Sequence, residues 1–142
     1  MKNPQESKFL QGALSPALIA QRLTSNTQIG GQAIFLGQVR ADEVGNTSVQ
    51  AIEYSAYPEM AEIEFEKICQ SMRTKYTDLL DITMLHSLGV VKTGETSLLV
   101  IVSARHRAQA FQAIAETVDL IKARVPIWKK EIMDNNSSRW IK

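Results

Sequence analysis

The 142-residue sequence contains a single cysteine, Cys69. An internal disulfide is therefore impossible, and a CxxC motif for metal or redox chemistry is absent. Both absences fit a reducing compartment, so we expect a cytoplasmic protein. Cys69 lies beside the apolar stripe of a predicted helix, where an unpaired cysteine is typically a small buried side chain.

An excess of one charge and a long apolar run are also missing. The net charge is +1, from 16 basic and 15 acidic residues, and aromatic residues make up 6%. This composition argues against proteins that bind nucleic acid through phosphate neutralisation or base stacking. No segment approaches the roughly 18 apolar residues of a membrane span, and the N-terminus lacks the apolar region of a secretory signal. We therefore predict no nucleic-acid partner and no membrane partner.

The common glycine-rich, zinc-protease and serine-hydrolase motifs (GxGxxG, the Walker loop, HExxH and GxSxG) do not occur. What is present is an ordinary globular composition with 44% hydrophobic residues. We predict one domain over residues 1–142, with residues 1–14 as a flexible segment. Any function must then come from a local cluster of polar residues.

The apolar pattern predicts the order helix, hairpin, helix, strand pair, helix. Ser15 and Pro16 are typical of the cap and first position of a short helix. Strands are expected at 32–40 and 49–57, as a hairpin-like pair, and then at 82–91 and 97–104. Short links between strands favour a largely antiparallel sheet with helices packed on it, which is the α+β class.

Two longer helices complete the predicted fold. The first begins at Pro58 and carries an apolar stripe of Ala61, Phe65, Ile68, Met72 and Tyr76. The second runs from about Ala108 to Arg124, with a predicted buried face of Phe111, Ile114, Val118 and Ile121. Pro126 ends it, because proline lacks an N–H and disfavours helical geometry in the preceding residue. The remaining residues read as a polar tail with Trp140 as an anchor.

Basic residues stand at the ends of these elements. Arg40 ends the first strand, and His106 and Arg107 precede the last helix. A helix N-terminus favours anions, and an arginine fork suits phosphate or carboxylate, although a solvated loop or a packed His106 would give the same pattern. His86 lies inside an apolar strand, where we expect an ordinary strand histidine that is either satisfied in its hydrogen bonds or semi-exposed.

The segment KARVPIWKKE, residues 122–131, concentrates charge around a proline. Pro126 must turn the chain, and Trp128 is expected to bury its ring and hold the turned segment. A partly desolvated lysine beside other cations has a lowered pKa and can act as a base or nucleophile. The alternative, that basic residues favour helix C-termini, accounts for Lys122 better than for Lys129 and Lys130. Spacing therefore predicts an anion-binding cleft with one or two amines and no metal-ligand set.

Several segments together resemble the large subunit of molybdopterin synthase. They are SARHRAQAF, then DLIKARVPIWKKE at the right interval, then a tryptophan near the end. FLGQVR, IEYSAYPEMA and LHSLGVVKTGE match earlier segments of that family in the same order. The resemblance covers about residues 30–141.

The resemblance implies an α+β fold of the hammerhead type and a sulfurtransferase activity. The family moves sulfur from the C-terminal thiocarboxylate of a small ubiquitin-like carrier subunit to cyclic pyranopterin monophosphate. The product is the dithiolene molybdopterin of molybdenum cofactor biosynthesis. The resemblance further implies a homodimer of large subunits with one small subunit on each, a heterotetramer, and no cofactor or bound metal.

The resemblance also implies which residues form the site. Lys122 and Lys129 would be catalytic, and the substrate site would comprise Gln38, Val39, Arg40, His106, Arg107, Lys122, Lys129, Lys130 and Glu131. Ser87 departs from the family, which usually has arginine there. The tail is short and lacks the usual glycine before its tryptophan, which leaves open whether Arg139 or Lys142 reaches a neighbouring subunit's pocket.

Two other classes of function fit the residues alone. One is a non-catalytic anion- or nucleotide-binding module, and the other is a structural subunit with PIWKKE as a docking epitope. Convergence of Arg40, His106, Lys122 and Lys129 on one pocket that admits a peptide tail would favour the enzyme.

Overall fold

The computed structural model describes residues 8–141, so Lys142 and residues 1–7 lie outside the description. In chain order the elements are β1 (Phe9–Gln11), α1 (Pro16–Arg22), β2 (Gly31–Gln38), β3 (Glu43–Val44), β4 (Thr47–Ala56), α2 (Pro58–Lys75), β5 (Leu79–Lys92), β6 (Thr96–Ala104), α3 (Arg107–Arg124), β7 (Ile127–Met133) and β8 (Ser138–Ile141). Ser15 caps α1 as predicted, since its Oγ accepts a hydrogen bond from the Leu18 N–H at 3.1 Å.

The strands form one sheet in the order β2-β6-β5-β4-β7-β8, and every pairing along this path is antiparallel. The predicted α+β class is confirmed. The predicted hairpin between β2 and β4 is wrong, because β2 pairs with β6 and β4 pairs with β5 and β7. The reason is that β6 is buried along its whole length and therefore takes a neighbour on both sides.

The 14-residue strand β5 joins two parts of the sheet. Its first part, from Leu79 to His86, pairs with β6, and its last part, from Gly89 to Lys92, pairs with β4. Gly89 lies at this change of partner with φ of +83°, a conformation that glycine adopts without steric cost. His86 is therefore the last β5 residue paired with β6, at the junction of the two parts.

Helices α2 and α3 pack against the β2–β6–β5 part and form the main core with it. The predicted stripe of α2 is confirmed, with Phe65 and Ile68 fully buried. On α3 the prediction for Phe111 is wrong, because its side chain is 65% exposed. Val118 and Ile121 are buried as predicted, together with Ala110, Ala113 and Thr117, whose small side chains allow the helix to lie close to the sheet.

The segment predicted as a polar tail forms the hairpin of β7 and β8. Trp128 does not bury its ring, which is 46% exposed and stands edge-on to Tyr57 at 5.4 Å. Backbone pairing with β4 holds the turned segment in its place. Trp140 is 63% exposed and has the Lys130 Nζ 5.5 Å from its ring centre. Cys69 is half-buried, and its Sγ accepts a hydrogen bond from Arg73.

The structure differs from the predicted flexible N-terminal segment over residues 9–14. β1 runs parallel to β5, Phe9 packs against Phe65 with ring centres 5.6 Å apart, and Leu14 is buried. These apolar side chains cover core surface that would otherwise meet water. Among residues 8–141, no helix has the length and apolarity needed to cross a membrane.

Candidate active site

A cavity of about 380 Å³ opens where the two parts of the sheet meet the C-terminal end of α3. This volume is in the range of small-molecule sites. The residues that line it come from six strands, one helix, the loop after β2 and the turn after α3: Gly37, Gln38, Val39, Arg40, Asp42, Ile52, Tyr54, His86, Ser97, Leu98, Ile121, Lys122, Val125, Ile127, Lys129, Glu131 and Ile141.

Lys122 and Lys129 enter this pocket from two elements separated by a turn. Lys122 is in the last turn of α3, where a cation interacts favourably with the helix dipole. Pro126 then separates α3 from β7, which carries Lys129 two residues after the pocket residue Ile127. The turn predicted from the sequence therefore brings two amines, seven residues apart, into one cavity.

The amine of Lys129 is in an unusual electrostatic position. Partial burial lowers its pKa from the ordinary value, and the nearby charge of Lys122 lowers it further. A lysine whose pKa is lowered in this way gives up its proton more readily than one in water. The two amines can therefore bind an anion together, and Lys129 can also exchange a proton.

The alternation of β7 separates its two lysines. Ile127, Lys129 and Glu131 face the pocket, whereas the Lys130 Nζ is 3.2 Å from the Glu53 carboxylate and over the Trp140 ring. The structure therefore does not place Lys130 with the other predicted substrate-binding residues. Its opposite orientation follows from the strand that the turned segment forms, because neighbouring side chains of a strand point to opposite faces.

Glu131 and Arg139, two residues near the end of the chain that the sequence analysis singled out, are linked by an ion pair. Glu131 is buried, and its Oε1 accepts a hydrogen bond from the Arg139 Nε at 2.7 Å. Arg139 therefore contacts the pocket wall of its own chain. Lys142, the other tail residue considered above, lies outside the described residues.

The segment after β2 forms the opposite rim of the pocket. Gln38, Val39 and Arg40 all line the cavity, as the resemblance implied for the substrate site. The side chain of Arg40 is 83% exposed and lies 3.3 Å from the Asp42 carboxylate. An exposed ion pair of this kind is weak, so the guanidinium can turn to an incoming anion at little cost.

His106 and Arg107 lie at the other end of α3. Arg107 is the first residue of that helix and Lys122 is in its last turn, so about 22 Å separates them at 1.5 Å per residue. The His106 ring is 82% exposed and contacts Asp78, while no ion pair involves Arg107 within the described part of the chain. Of the four residues expected to converge, Arg40, Lys122 and Lys129 do so within one chain and His106 does not.

Tyr54, His86 and Ser97 are among the pocket residues that the sequence reasoning missed as site residues. Tyr54 donates a hydrogen bond to the Ser97 Oγ at 3.0 Å, and His86 packs against the edge of the Tyr54 ring at 4.9 Å. The prediction that His86 is an ordinary strand histidine overlooked its position, which is buried and on the pocket wall. A polar residue inside an otherwise apolar strand was the only available signal.

Burial of His86 predicts that the folded protein loses stability in acid. Desolvation lowers the pKa of its imidazole from 6.5 to about 4 in the folded protein. Between pH 6.5 and about pH 4 the unfolded chain therefore binds a proton that the folded protein does not. The free energy of unfolding then falls as the pH falls, by up to about 3 kcal/mol. We expect His86→Phe to remove that part of the loss, measured by urea unfolding at about pH 7 and about pH 4. An equal acid loss in both proteins would contradict this assignment.

Comparison with known proteins identifies the family. The model for the MoaE protein family matches residues 11–124. The chain belongs to the MoaE family. The matched region includes all pocket residues from Gly37 to Lys122, and it ends at Arg124, before β7.

Several relatives match most of the chain. The chain is 41% identical to the molybdopterin synthase catalytic subunit of Bos taurus, over 94% of this chain and 69% of that one. It is also 41% identical to the same subunit of Pyrococcus abyssi, over 84% and 78% of the two chains. The crystal structure of molybdopterin synthase from Staphylococcus aureus superposes with a TM-score of 0.85 and 26% identity, over 100% and 99% of the chains.

A further structural relative was solved as a complex. It is the assembly of subunits 1 and 2 of the molybdopterin-converting factor from Helicobacter pylori, with a TM-score of 0.78 and 25% identity. The likeness covers 95% of this chain and 89% of that one. Both β7 and β8, which extend beyond the family match, therefore belong to a fold that MoaE structures share.

Proposed function

We propose that this MoaE-family protein is the catalytic subunit of a molybdopterin synthase. It transfers sulfur from the C-terminal thiocarboxylate of a small ubiquitin-like carrier subunit to cyclic pyranopterin monophosphate. The observation that carries the proposal is the pocket itself, in which Lys122 and Lys129 of a family member meet beside Arg40. A cationic pocket of this volume suits a substrate with a phosphate and a donor with an anionic tail.

The two lysines have distinct tasks in this proposal. Sulfur transfer forms a carbon–sulfur bond on the pterin side chain in place of a carbon–oxygen bond, whose oxygen leaves as water or stays on the phosphate. Water then cleaves the acyl–sulfur bond and releases the carrier as a carboxylate. Negative charge develops on the acyl oxygen during that release, and a fixed ammonium stabilises it. Lys122 acts at the reacting carbon and thiocarboxylate, and Lys129, with its lowered pKa, positions the tail and exchanges protons. Because the carrier brings the sulfur, this route needs no resident metal or cofactor.

The small subunit is the proposed partner at the mouth of this pocket. The related Helicobacter pylori protein forms a complex of two molybdopterin-converting-factor subunits, which supports an analogous pair here. Arg40 is exposed and lines the same pocket as Lys129, so it is available to an extended tail that reaches Lys129. The carboxylate or thiocarboxylate at its end would replace Asp42 as the partner of the guanidinium.

We further propose that two copies of the chain form the working enzyme, giving a heterotetramer with two small subunits. The resemblance assigns His106 and Arg107 to the substrate site, yet they lie at the far end of α3 from their own pocket. Both are exposed, and a second copy could bring them to the first copy's Lys122. Edge strand β2 also exposes Ile34 and Leu36, apolar side chains that a dimer would cover.

A genetic experiment tests the proposed function in a cell. The chain is expressed in a host that lacks its own molybdopterin synthase catalytic subunit, and the activity of a molybdenum enzyme is measured. We expect wild-type protein to restore that activity and Lys129→Ala, made at the same level, to fail. A host that stays inactive despite folded wild-type protein and a compatible small subunit would contradict the proposal.

The single cysteine and the pterin reaction together favour the cytoplasm as the location of this protein.

A further inference from the structure

The inner wall of the pocket contains a histidine whose tautomer the structure determines. The His86 Nδ1 lies 2.8 Å from the Ser87 carbonyl oxygen. A carbonyl oxygen only accepts hydrogen bonds, so Nδ1 must carry the proton and donate it. In the neutral ring the other nitrogen, Nε2, then has a free lone pair and accepts. Burial favours this neutral ring near pH 7.

The Nε2 atom is accessible from the pocket. No hydrogen bond joins it to any residue within 8–141. Over the same residues, the only fully enclosed side-chain N or O atom without a partner is the Ser87 Oγ, so Nε2 is not sealed inside the protein. His86 lines the cavity, and the pocket is therefore where a donor can reach this lone pair.

The surroundings of His86 hold the ring in place and determine what it can bind. The Tyr54 ring packs against it at 4.9 Å, and Phe9 lies 6.4 Å away on another strand. A rigid, neutral acceptor attracts N–H and O–H groups and gives no favourable contact to a phosphate oxygen. The cations Lys122, Lys129 and Arg40 instead attract the anionic oxygens of a phosphate or carboxylate. The pocket therefore has a cationic side for anions and a neutral acceptor on its inner wall.

We propose that His86 is a substrate-binding residue whose Nε2 accepts a hydrogen bond from an N–H group of the pterin ring, while the phosphate lies among the cations. This proposal rests on the proposed function, because it takes the pyranopterin as the ligand. It fixes the direction in which the substrate enters, with the heterocycle innermost. The ring N–H groups of a pterin are the donors that such an acceptor recognises.

Two substitutions at one position test this assignment. His86→Phe keeps a flat ring against Tyr54 and removes the acceptor, whereas His86→Gln keeps an amide oxygen that can accept. Calorimetry measures the dissociation constants of cyclic pyranopterin monophosphate and, by competition, of inorganic phosphate. Thermal unfolding establishes that each variant is folded. Because binding is measured without turnover, the result does not depend on whether dithiolene forms.

We expect His86→Phe to raise the dissociation constant of the pyranopterin roughly tenfold, the effect of one lost hydrogen bond in a desolvated site. Phosphate should bind to it as to wild type, and His86→Gln should regain most of the affinity for the pterin. Three outcomes would overturn the proposal: unchanged pterin affinity in folded His86→Phe, equal weakening of pterin and phosphate, or no recovery in His86→Gln. Wild-type protein that binds the pterin but forms no dithiolene would refute the proposed function and leave this inference intact.

Discussion

Lys129→Ala and Lys122→Ala should each slow dithiolene formation by at least about 100-fold, the usual effect of removing one group that stabilises a developing anion. Each amine enters the pocket from a different element, so neither can take the place of the other. The measurement is single-turnover product formation with precursor and thiocarboxylated small subunit. Near-normal turnover in either variant would refute the role of that lysine.

Two neighbouring residues provide matched controls. Lys130→Ala removes a cation from the opposite face of β7, and Arg124→Ala removes one from the same helix end without touching the pocket. We expect each control to keep its rate within about threefold of wild type, as for surface charges away from a site. A large loss in Arg124→Ala would indicate that the overall charge of this region, rather than the pocket amines, controls the rate.

We expect Lys129→Ala to fold, so that its loss of activity reports on the pocket. The pKa of Lys129 is lower in the folded protein than in the unfolded chain, mainly because of burial. Charging this amine therefore opposes folding at neutral pH, and stability rises as pH rises through the lowered pKa. Removing the amine relieves the cost of burying its charge. A thermal unfolding midpoint of Lys129→Ala well below that of wild type would therefore contradict this explanation of the lowered pKa.

Mixing two inactive variants should restore activity if the site is shared between chains. Lys122→Ala and Arg107→Ala, each inactive alone, are co-expressed so that mixed dimers form. In a mixed dimer one pocket has its own Lys122 and receives Arg107 from the other chain. With random pairing we expect about a quarter of wild-type activity per chain, because half of the dimers are mixed and each has one intact pocket.

The same experiment has a clear opposite outcome. If Arg107 acts within its own chain, every pocket in the mixture lacks either Arg107 or Lys122, and activity stays at the level of the single variants. A mixture of Lys122→Ala with Lys129→Ala is the matched control, since both lysines belong to one pocket and no pairing restores it. Restoration in that control would mean that the pocket itself is assembled from two chains.

Much of this architecture follows from local patterns in the sequence. Ser15, the stripe of α2 and the proline after α3 were read correctly because capping, helical periodicity and the missing proline N–H act over a few residues. The pairing of β5 with β6 across a short turn was also predicted correctly, whereas the predicted pairing of β2 with β4 was wrong. Pairing β2 with β6 brings together residues 58 to 73 positions apart, from Gln38 with Thr96 to Gly31 with Ala104, and no local pattern contains that choice.

The site was predictable to a similar degree. The charge around Pro126 correctly indicated two amines in one place, because a turn between Lys122 and Lys129 was certain. The remoteness of Arg107 could have been deduced, since an 18-residue helix separates its ends by about 26 Å. The exposure of Trp128 and the pocket position of His86 could not, because both depend on which strands flank β4 and β5.

The most direct test of the account is one reconstitution. Purified protein is mixed with cyclic pyranopterin monophosphate and small subunit that ends in a thiocarboxylate, and the dithiolene product is quantified per pocket. The account predicts product in proportion to thiocarboxylate added, two sulfurs for each dithiolene, and none when the small subunit ends in an ordinary carboxylate. Absence of product from folded protein that binds both the precursor and the thiocarboxylated subunit would contradict the account.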